Sequence, residues 1–379
     1  MATAGRESTP DPITLVYKTI STSDPGSPEG SKPDIALHLD FYPPTSPADG
    51  DAGVPAIVYF HGGGLVVGDR KSWFPGWLLK RLSEQGVAFL SADYRLLSPS
   101  TGHDIVEDIQ DLFAYIRNDL NPVLAGATGD PRLRINLNAI GVAGSSAGGL
   151  CTYLCAMHLS PKPRALLSVY GQAGECLNDQ FLEPKTKPYI PNVPLVDPSG
   201  FAEFLFPQSM ALPIIAESPV EYYPTTHPTP GLPATKRMQL SRLYYQLGQW
   251  LDYYTGDHTL SQRLRQLRSS GTEPLLAPDP AKAGEVIGEK NIKLFPQFGV
   301  TENWPPTLLV HGTADSRVPF SESKHLAEQL TAVGVENELI VVDGREHAFD
   351  ILVPAAEAER EFGRMFDRAV AFLVQRLRQ

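Results

Sequence analysis

Short apolar runs recur along the chain, and most of them are bounded by glycine, proline or polar residues. Such runs are typical of strands that are buried on both faces of a parallel sheet. Buried strands are predicted over 56–60, 87–92, 140–143, 165–170, 307–310 and 338–342. Two earlier runs, Ile13–Ile20 and 34–42, predict an antiparallel pair. In the second, apolar residues alternate with polar or small ones, which indicates one solvent-facing side.

Helical patterns lie between most of these runs. Helices are predicted over 77–85, 104–120, 146–159, 321–333 and Ala355–Leu377. Alternating strands and helices form βαβ units, which build a parallel sheet covered by helices on both faces. The predicted fold class is therefore α/β, with about eight mostly parallel strands.

One long stretch interrupts this alternation. Residues 171–304 show no regular succession of strands and helices, whereas connections in α/β units are usually ~2–6 residues long. Residues 161–233 hold 14 of the 35 prolines, which disfavours long regular elements there. We therefore predict a core formed by 1–170 and 305–379, with 171–304 inserted as a cap or lid.

The second half of this insertion contains an aromatic helical run. Residues 236–254 carry apolar side chains at helical spacing and predict one helix. Two interpretations of its aromatic residues stay open: packing in the core of the insertion, or a substrate-binding wall in a lid. The residues concerned are Tyr244, Tyr245, Trp250 and Tyr254.

The net charge of −11 argues against nucleic acid as a partner, because there is no basic excess to displace counterions. No apolar run approaches the ~20 residues that span a bilayer, and residues 1–12 lack the apolar core of a signal peptide. We expect a protein without a membrane span.

The three cysteines, Cys151, Cys155 and Cys176, are too few and too irregular for a disulfide framework. No CxxC motif or histidine cluster accompanies them, so no metal site is expected. Reduced thiols together with the missing signal peptide predict a cytoplasmic location.

The strand over 140–143 leads into Gly144-Ser145-Ser146-Ala147-Gly148 and then into a predicted helix. A Gly-x-Ser-x-Gly sequence between a strand and a helix is typical of a nucleophile held on a sharp, strained turn. The two glycines lie against each other in such a turn, and the helix N-terminus favours negative charge. Ser146 is the candidate nucleophile; a glycine-rich packing turn is the alternative.

A second glycine-rich loop, residues 61–64, follows the strand over 56–60. Consecutive glycines allow the backbone to approach a ligand and to turn its N–H groups towards it. We predict that the N–H groups of Gly63, Gly64 and Ala147 form an oxyanion hole. A Walker loop is excluded because no Lys-Ser/Thr follows. His61 is expected to hold this loop.

The last two strands end in loops that carry a candidate acid and a candidate base. Asp315 follows the strand over 307–310, and His347 follows the strand over 338–342. The chain order serine, aspartate, histidine is that of the α/β-hydrolase triad. Asp343 and Asp350 are competing acids, but both lie very near His347 in sequence.

These motifs together resemble the hormone-sensitive-lipase-like α/β-hydrolases, the esterase and carboxylesterase group of fold-3. The resemblance rests on residues 61–64, 93–96, 144–149, 311–315 and the His347 loop. It implies the triad Ser146, Asp315 and His347 and the oxyanion donors at Gly63, Gly64 and Ala147. This chain has Ser145 where the family usually has aspartate, and Leu97-Ser98-Pro99 where the family usually has Ala-Pro-Glu.

The predicted function is hydrolysis of a carboxylic ester through an acyl-enzyme, without metal or cofactor. The aromatic residues of the insertion favour a bulky, specialised small molecule as substrate, and the insertion resembles that of some fungal metabolic hydrolases. An acyltransferase, a lactonase or an amidase would use the same triad. A non-catalytic small-molecule receptor is the alternative from another class, although such relatives lose a triad member. Some relatives form dimers, so a homodimer stays open.

Overall fold

The computed structural model of the protein describes residues 11–21, 34–45, 53–130, 133–269 and 280–379. Eight strands in these residues form one sheet in the order β1-β2-β4-β3-β5-β6-β7-β8. They are β1 (Ile13–Ile20), β2 (Ile35–Tyr42), β3 (Val54–Phe60), β4 (Ala88–Ala92), β5 (Ile135–Ser145), β6 (Leu166–Val169), β7 (Thr307–Gly312) and β8 (Asn337–Val342). Strand β2 runs antiparallel to β1 and β4, and the other pairs are parallel. The predicted fold class is confirmed.

Eleven α-helices of the described residues surround this sheet. They are α1 (Gly76–Glu84), α2 (Gly102–Asn118), α3 (Leu120–Thr128), α4 (Ala147–His158), α5 (Asp179–Leu182), α6 (Arg237–Gln246), α7 (Trp250–Thr255), α8 (Leu260–Ser269), α9 (Pro280–Ile287), α10 (Phe320–Ala332) and α11 (Ala355–Leu377). None of them is both long enough and apolar enough to cross a membrane.

Strand β3 shows how the central strands are buried on both faces. Ala56, Val58 and Phe60 belong to the core cluster formed with α2, α4 and α10, whereas Ile57 and Tyr59 belong to the cluster formed with α1 and α11. Successive side chains of a strand point to opposite faces, so an unbroken apolar run serves two helix layers.

The solvent-facing side predicted for the strand over 34–42 is only partly exposed in the structure. Ala36 and His38 are half-buried, but Asp40 on the same side is fully buried. Its carboxylate lies 2.9 Å from Arg70 Nε and accepts a 2.6 Å hydrogen bond from the Thr14 hydroxyl. The polar residue in the pattern was therefore an internal ion-pair partner rather than a surface residue.

The described residues of 171–304 add no strand to the sheet and form short helices instead, including α5 to α9. The single helix predicted over 236–254 was wrong, because the chain forms α6 and α7 with a break at Gly248. Gly248 has φ +62°, and a Cβ at this position would lie 2.5 Å from the carbonyl oxygen of Leu182. Packing against the preceding segment thus ends the helix.

Candidate active site

Ser146 lies on the sharp turn between β5 and α4. Its φ of 53° and ψ of −122° are strained for a residue with a side chain. A Cβ on Gly144 would lie 2.1 Å from the Gly148 carbonyl oxygen, and one on Gly148 would lie 2.0 Å from that of Phe60. The turn therefore requires glycine at positions 144 and 148, because a side chain at either position would collide with neighbouring backbone.

Asp315 and His347 come to this turn from the carboxyl ends of β7 and β8. His347 Nε2 lies 3.0 Å from Ser146 Oγ, and His347 Nδ1 lies 2.7 Å from Asp315 Oδ2. A carboxylate only accepts hydrogen bonds, so Nδ1 carries the proton and Nε2 is left to accept from the serine hydroxyl. The Asp315 side chain is only 1% exposed and that of His347 10% exposed, so water hardly competes for this contact.

The surroundings of Asp315 keep it ionised. Burial by itself would raise the pKa of Asp315, but the charge of His347 and hydrogen bonds from His311 and His347 outweigh it and hold the pKa well below its usual value. The other oxygen, Oδ1, accepts the N–H groups of Arg317 and Val318, each at 2.9 Å. The carboxylate is thus fixed in orientation as well as in charge.

The two competing acids have other partners. Asp350 accepts hydrogen bonds from the Tyr170 hydroxyl at 2.6 Å and from Trp77 Nε1 at 2.8 Å. Asp343 accepts from Thr313 Oγ1 at 3.0 Å. The Tyr170 ring in turn packs against the His347 ring, with centroids 4.7 Å apart. Asp350 is therefore hydrogen-bonded to Tyr170, which packs against His347, and not to His347 itself.

The glycine loop after β3 lies directly against the nucleophile. A Cβ on Gly62 would lie 3.1 Å from Ser146 Cβ, and Gly63 and Gly64 have φ values of 110° and 63°. The N–H groups of Gly63, Gly64 and Ala147 donate to no other described residue. Three backbone donors beside a serine are a suitable arrangement for binding an oxyanion.

His61 holds this loop, as expected. Its Nδ1 donates to the Gly62 carbonyl at 2.7 Å, its ring stacks on Tyr94 at 4.4 Å, and its own carbonyl accepts from the Tyr94 hydroxyl at 2.8 Å. Burial lowers the pKa of His61 to about 4, so the ring is neutral at pH 7.

Three consecutive residues after β4 each bind a different partner, and one of these partners is His61 of the glycine loop. The Asp93 carboxylate accepts a 2.8 Å hydrogen bond from Arg70, whose backbone carbonyl accepts from Ser91. Tyr94 holds His61, and Arg95 binds Asp108 of α2 with its Nε 2.9 Å from the carboxylate.

Sequence reasoning missed Glu346, which ties the acid loop to the base loop. Its Oε1 accepts the N–H of Ser316 at 2.7 Å and that of His347 at 2.8 Å. Glu346 directly precedes His347, but nothing in the local sequence indicates that it reaches a loop thirty residues earlier. Only the closeness of the two strand ends makes this contact.

The four aromatic residues singled out in the insertion are buried; three of them pack on one another, and Tyr244 stacks on Tyr253 with centroids 3.7 Å apart. Tyr245 and Trp250 stack with centroids 5.8 Å apart, Trp250 stacks on Tyr254 at 4.8 Å, and the Tyr254 hydroxyl donates to the Leu294 carbonyl. The Tyr244 hydroxyl lies 2.8 Å from Ser98 Oγ. These contacts favour the core-packing interpretation, and a role in substrate binding stays a prediction.

Helix α6 meets the site through a different residue. A Cβ on Gly64 would lie 2.2 Å from Ser241 Oγ, so Ser241 covers the glycine loop. Two bonds from Arg237 Nη1 to the Val66 and Leu97 carbonyls and one from Nη2 to the Ser98 carbonyl fasten the same helix to the core, at 3.1, 3.2 and 2.7 Å.

One group of metal-type ligands occurs within the described parts of the chain, formed by His38, Asp93 and Glu217. Arg70 already lies among them, with Nη1 2.8 Å from Asp93 and 3.8 Å from Glu217. A guanidinium thus supplies the positive charge that this group attracts, and the group lies behind the glycine loop.

Sequence comparisons match two family models: BD-FAE over residues 39–180 and the prolyl oligopeptidase family over residues 288–379. The chain is 26% identical over 313 residues to a probable carboxylesterase M8 from a Phoma species, covering 78% of this chain and 79% of that protein. It is also 26% identical over 356 residues to the non-reducing polyketide synthase mapC' of Penicillium brevicompactum. That match covers 90% of this chain but only 15% of the synthase.

Among solved structures, the chain is similar to a thermophilic esterase from Thermogutta terrifontis. The TM-score is 0.55 at 18% identity, and the match covers 97% of this chain and 93% of the other. The strand order, the strand-turn-helix around Ser146 and these matches agree with one another. The chain has the α/β-hydrolase fold and is similar in sequence to a probable carboxylesterase.

Proposed function

We propose that the protein hydrolyses a carboxylic ester through an acyl-enzyme. Ser146 is the nucleophile, His347 the general base and Asp315 the residue that orients the base. The observation that carries the proposal is the hydrogen-bonded chain from Ser146 Oγ to His347 Nε2 at 3.0 Å and from Nδ1 to Asp315 at 2.7 Å. The likeness to a probable carboxylesterase agrees with it.

In the first half-reaction His347 takes the proton of Ser146 while Oγ attacks the ester carbon. The N–H groups of Gly63, Gly64 and Ala147 stabilise the negative charge that develops on the carbonyl oxygen. The tetrahedral intermediate then expels the alcohol, which receives its proton from His347. Asp315 remains ionised and stabilises the imidazolium throughout.

In the second half-reaction water takes the place of the alcohol. His347 removes a proton from this water as it attacks the acyl carbon, and Ser146 recovers its proton as the acid leaves. The neighbouring ring of Tyr170 and the clamp of Glu346 keep the imidazole in place between the two steps. This chain's own residues thus supply every proton transfer of the cycle.

Residues 171–304 serve as the lid in this proposal, with α6 above the glycine loop. The Arg237 bonds to three core carbonyls and the contact of Ser241 with Gly64 support that role. A lid excludes water from the developing charges. The likeness to proteins named for polyketide synthesis favours a bulky product of secondary metabolism as substrate. The free, buried cysteines favour a cytoplasmic location.

A fluorophosphonate probe followed by mass spectrometry tests this proposal. We expect one adduct on Ser146, lost in Ser146→Ala and strongly reduced in His347→Ala. Ser145→Ala is the matched control, because Ser145 Oγ is buried against the Tyr59 hydroxyl at 2.7 Å. Turnover of 4-nitrophenyl esters should follow the same pattern. Absence of labelling and of turnover in the natural chain would refute the proposal.

Acyl transfer to an acceptor other than water is a second candidate, because the sequence matches a polyketide synthase along 90% of this chain. Water and another nucleophile compete for the same acyl-enzyme. Adding an alcohol or an amine to the ester assay separates the two functions. A transferase yields mainly the new ester or amide, whereas a hydrolase yields the free acid.

A further inference from the structure

Arg242 lies on the lid helix α6 with an unsatisfied positive charge. It is half-buried, and its Nε is buried without a hydrogen-bond partner. Among the described residues its one side-chain hydrogen bond runs from Nη2 to the neutral Gln239 amide oxygen at 3.3 Å, and no described carboxylate forms an ion pair with it. A guanidinium withdrawn from water is expected to have an anionic partner, because its desolvation is otherwise uncompensated.

Arg317, in the acid loop, carries a second guanidinium that pairs with no carboxylate among the described residues. Contacts around Tyr189 bring the acid loop and α6 together: the Arg317 carbonyl accepts a 3.0 Å hydrogen bond from Gln180, the Gln180 carbonyl accepts a 2.6 Å bond from Lys185 Nζ, and the Tyr189 hydroxyl donates to the Arg242 carbonyl at 2.8 Å. Burial raises the pKa of Tyr189, and the charges of Arg242 and Arg317 oppose that rise. Lys185 lies 6.0 Å from the centre of the Tyr189 ring and adds a third positive charge.

This group of cations adjoins the candidate catalytic centre. Arg242 follows Ser241, which covers the oxyanion loop at Gly64. The backbone N–H of Arg317 donates to Asp315 Oδ1 at 2.9 Å. Helix α6 and the acid loop therefore both border the candidate catalytic centre, the helix at its oxyanion side and the loop at its acid side.

Arg237, on the same helix, shows what a satisfied buried arginine looks like in this protein. It also lacks a carboxylate partner among the residues described, but three backbone carbonyls accept its hydrogen bonds. Arg242 has no such set of acceptors. The difference between the two arginines leaves Arg242 able to bind a partner that is not among the described residues.

We propose that Arg242 and Arg317 bind a carboxylate carried by the ester substrate, so that the enzyme prefers substrates with a second, ionised acid group. The inference rests on the proposed ester hydrolysis and specifies its substrate class. Guanidinium groups match a carboxylate geometrically and remain charged at all relevant pH values. A chain with a net charge of −11 repels anions at long range, so a local cationic site is what such a substrate needs.

Two substrate pairs test the proposal. In the first arm mono-(4-nitrophenyl) adipate is compared with 4-nitrophenyl hexanoate, so that the carboxylate lies on the acyl chain. In the second arm 4-carboxyphenyl hexanoate is compared with 4-acetylphenyl hexanoate, so that it lies on the leaving alcohol. The readout is the ratio of kcat/KM for the anionic ester to that for the neutral ester.

We expect this ratio to fall about tenfold or more in Arg242→Gln and Arg317→Gln in one of the arms, mainly through KM, as for a lost hydrogen bond to a charged group. Arg242→Lys should restore part of it. The control is Arg364→Gln on α11. Arg364 is exposed like Arg317, and its replacement removes one positive charge away from the proposed carboxylate site, so this variant should keep the natural ratio. Arg317 is exposed, so its variant is expected to fold even where that of Arg242 does not.

The two proposals fail in different ways. Hydrolysis of the neutral esters with an unchanged ratio in Arg317→Gln and Arg242→Gln, in both arms, would overturn the carboxylate site and leave ester hydrolysis standing. If the natural chain hydrolyses none of the four esters and Ser146 is not labelled by fluorophosphonate, ester hydrolysis itself fails, and the carboxylate site fails with it.

Discussion

Replacing Asp315 by asparagine should disable the site through the tautomer of His347. In the natural protein Oδ1 accepts the N–H groups of Arg317 and Val318, and Oδ2 accepts Nδ1–H of His347. The amide oxygen of asparagine would take the Oδ1 position, because only an acceptor suits two N–H donors. Its NH2 group would then face Nδ1, which must accept, and the proton moves to Nε2, where it blocks proton transfer from Ser146.

The size of the effect follows from these contacts. Turning the amide round would leave two N–H groups without an acceptor, at a cost of about 2 kcal/mol or more. At ~1.4 kcal/mol per factor of ten, the unreactive arrangement then prevails by roughly thirtyfold. The carboxylate charge that stabilises the imidazolium is lost as well. We therefore expect kcat to fall by about 10³–10⁴, as for other serine triads.

Stopped assays with a 4-nitrophenyl ester at pH 7 and fluorophosphonate labelling rates measure this loss. Asp315→Ala is the informative comparison, because alanine leaves the tautomer of His347 free. The asparagine variant should be no more active than the alanine variant, although it is nearly isosteric with aspartate. An asparagine variant within tenfold of the natural protein would refute the tautomer reasoning.

Three further changes have defined outcomes. Gly64→Ala places a Cβ 2.2 Å from Ser241 Oγ at φ +63°, so kcat should fall about 10²-fold with the oxyanion donors displaced, as ester kinetics will show. Arg237→Met leaves three carbonyls without a donor, so urea unfolding should show about 2 kcal/mol less stability and proteases should cut the lid sooner. The pKa of His61 is about 4 in the folded protein and 6.5 as a free group, so the contribution of this group to the free energy of unfolding is complete above pH 6.5 and falls as the pH drops from 6.5 towards 4. Urea unfolding should show about 2 kcal/mol less at pH 5 than at pH 7 from this group.

Each of these outcomes has a control. Gly284→Ala on α9 adds the same methyl group where nothing lies within 4 Å, and it should retain full activity. Lys236→Met removes the neighbouring cation, which pairs with Glu203 at the surface and lies 5.7 Å from the centre of the Phe201 ring, and it should change stability little. His61→Gln should flatten the pH dependence between pH 7 and 5. A decline as steep as in the natural chain would assign the effect to other groups.

The strands and the site loops were predictable because their reasons are local. An apolar run such as that of β3 must be buried on both faces, and parallel strands end at one edge of the sheet. Loops that follow β5, β7 and β8 therefore had to meet, and Ser146, Asp315 and His347 could be chosen from the sequence. The steric need for Gly144 and Gly148 is local in the same sense.

Other features depend on neighbours that are distant in sequence. Helix α6 does not continue past Gly248 because the Leu182 carbonyl lies against this glycine. Asp40 is buried because Arg70 reaches its carboxylate. Helix α3 was not predicted; Pro122 stands in its first turn, where the missing N–H of proline does no harm. None of these partners can be identified from the residues beside them.

The three residues after β4 have a consequence for the evolution of this fold. Asp93, Tyr94 and Arg95 each hold a different part of the molecule: the Arg70 cation, the His61 loop and helix α2. Because these consecutive side chains point to different partners, one inserted or deleted residue would shift the register and separate all three side chains from their partners at once. Single substitutions lose one contact, but a change of length would lose the whole set. Variation in this loop should therefore be confined to residue type, whereas residues 171–304, which add no strand to the sheet among those described, should tolerate changes of length.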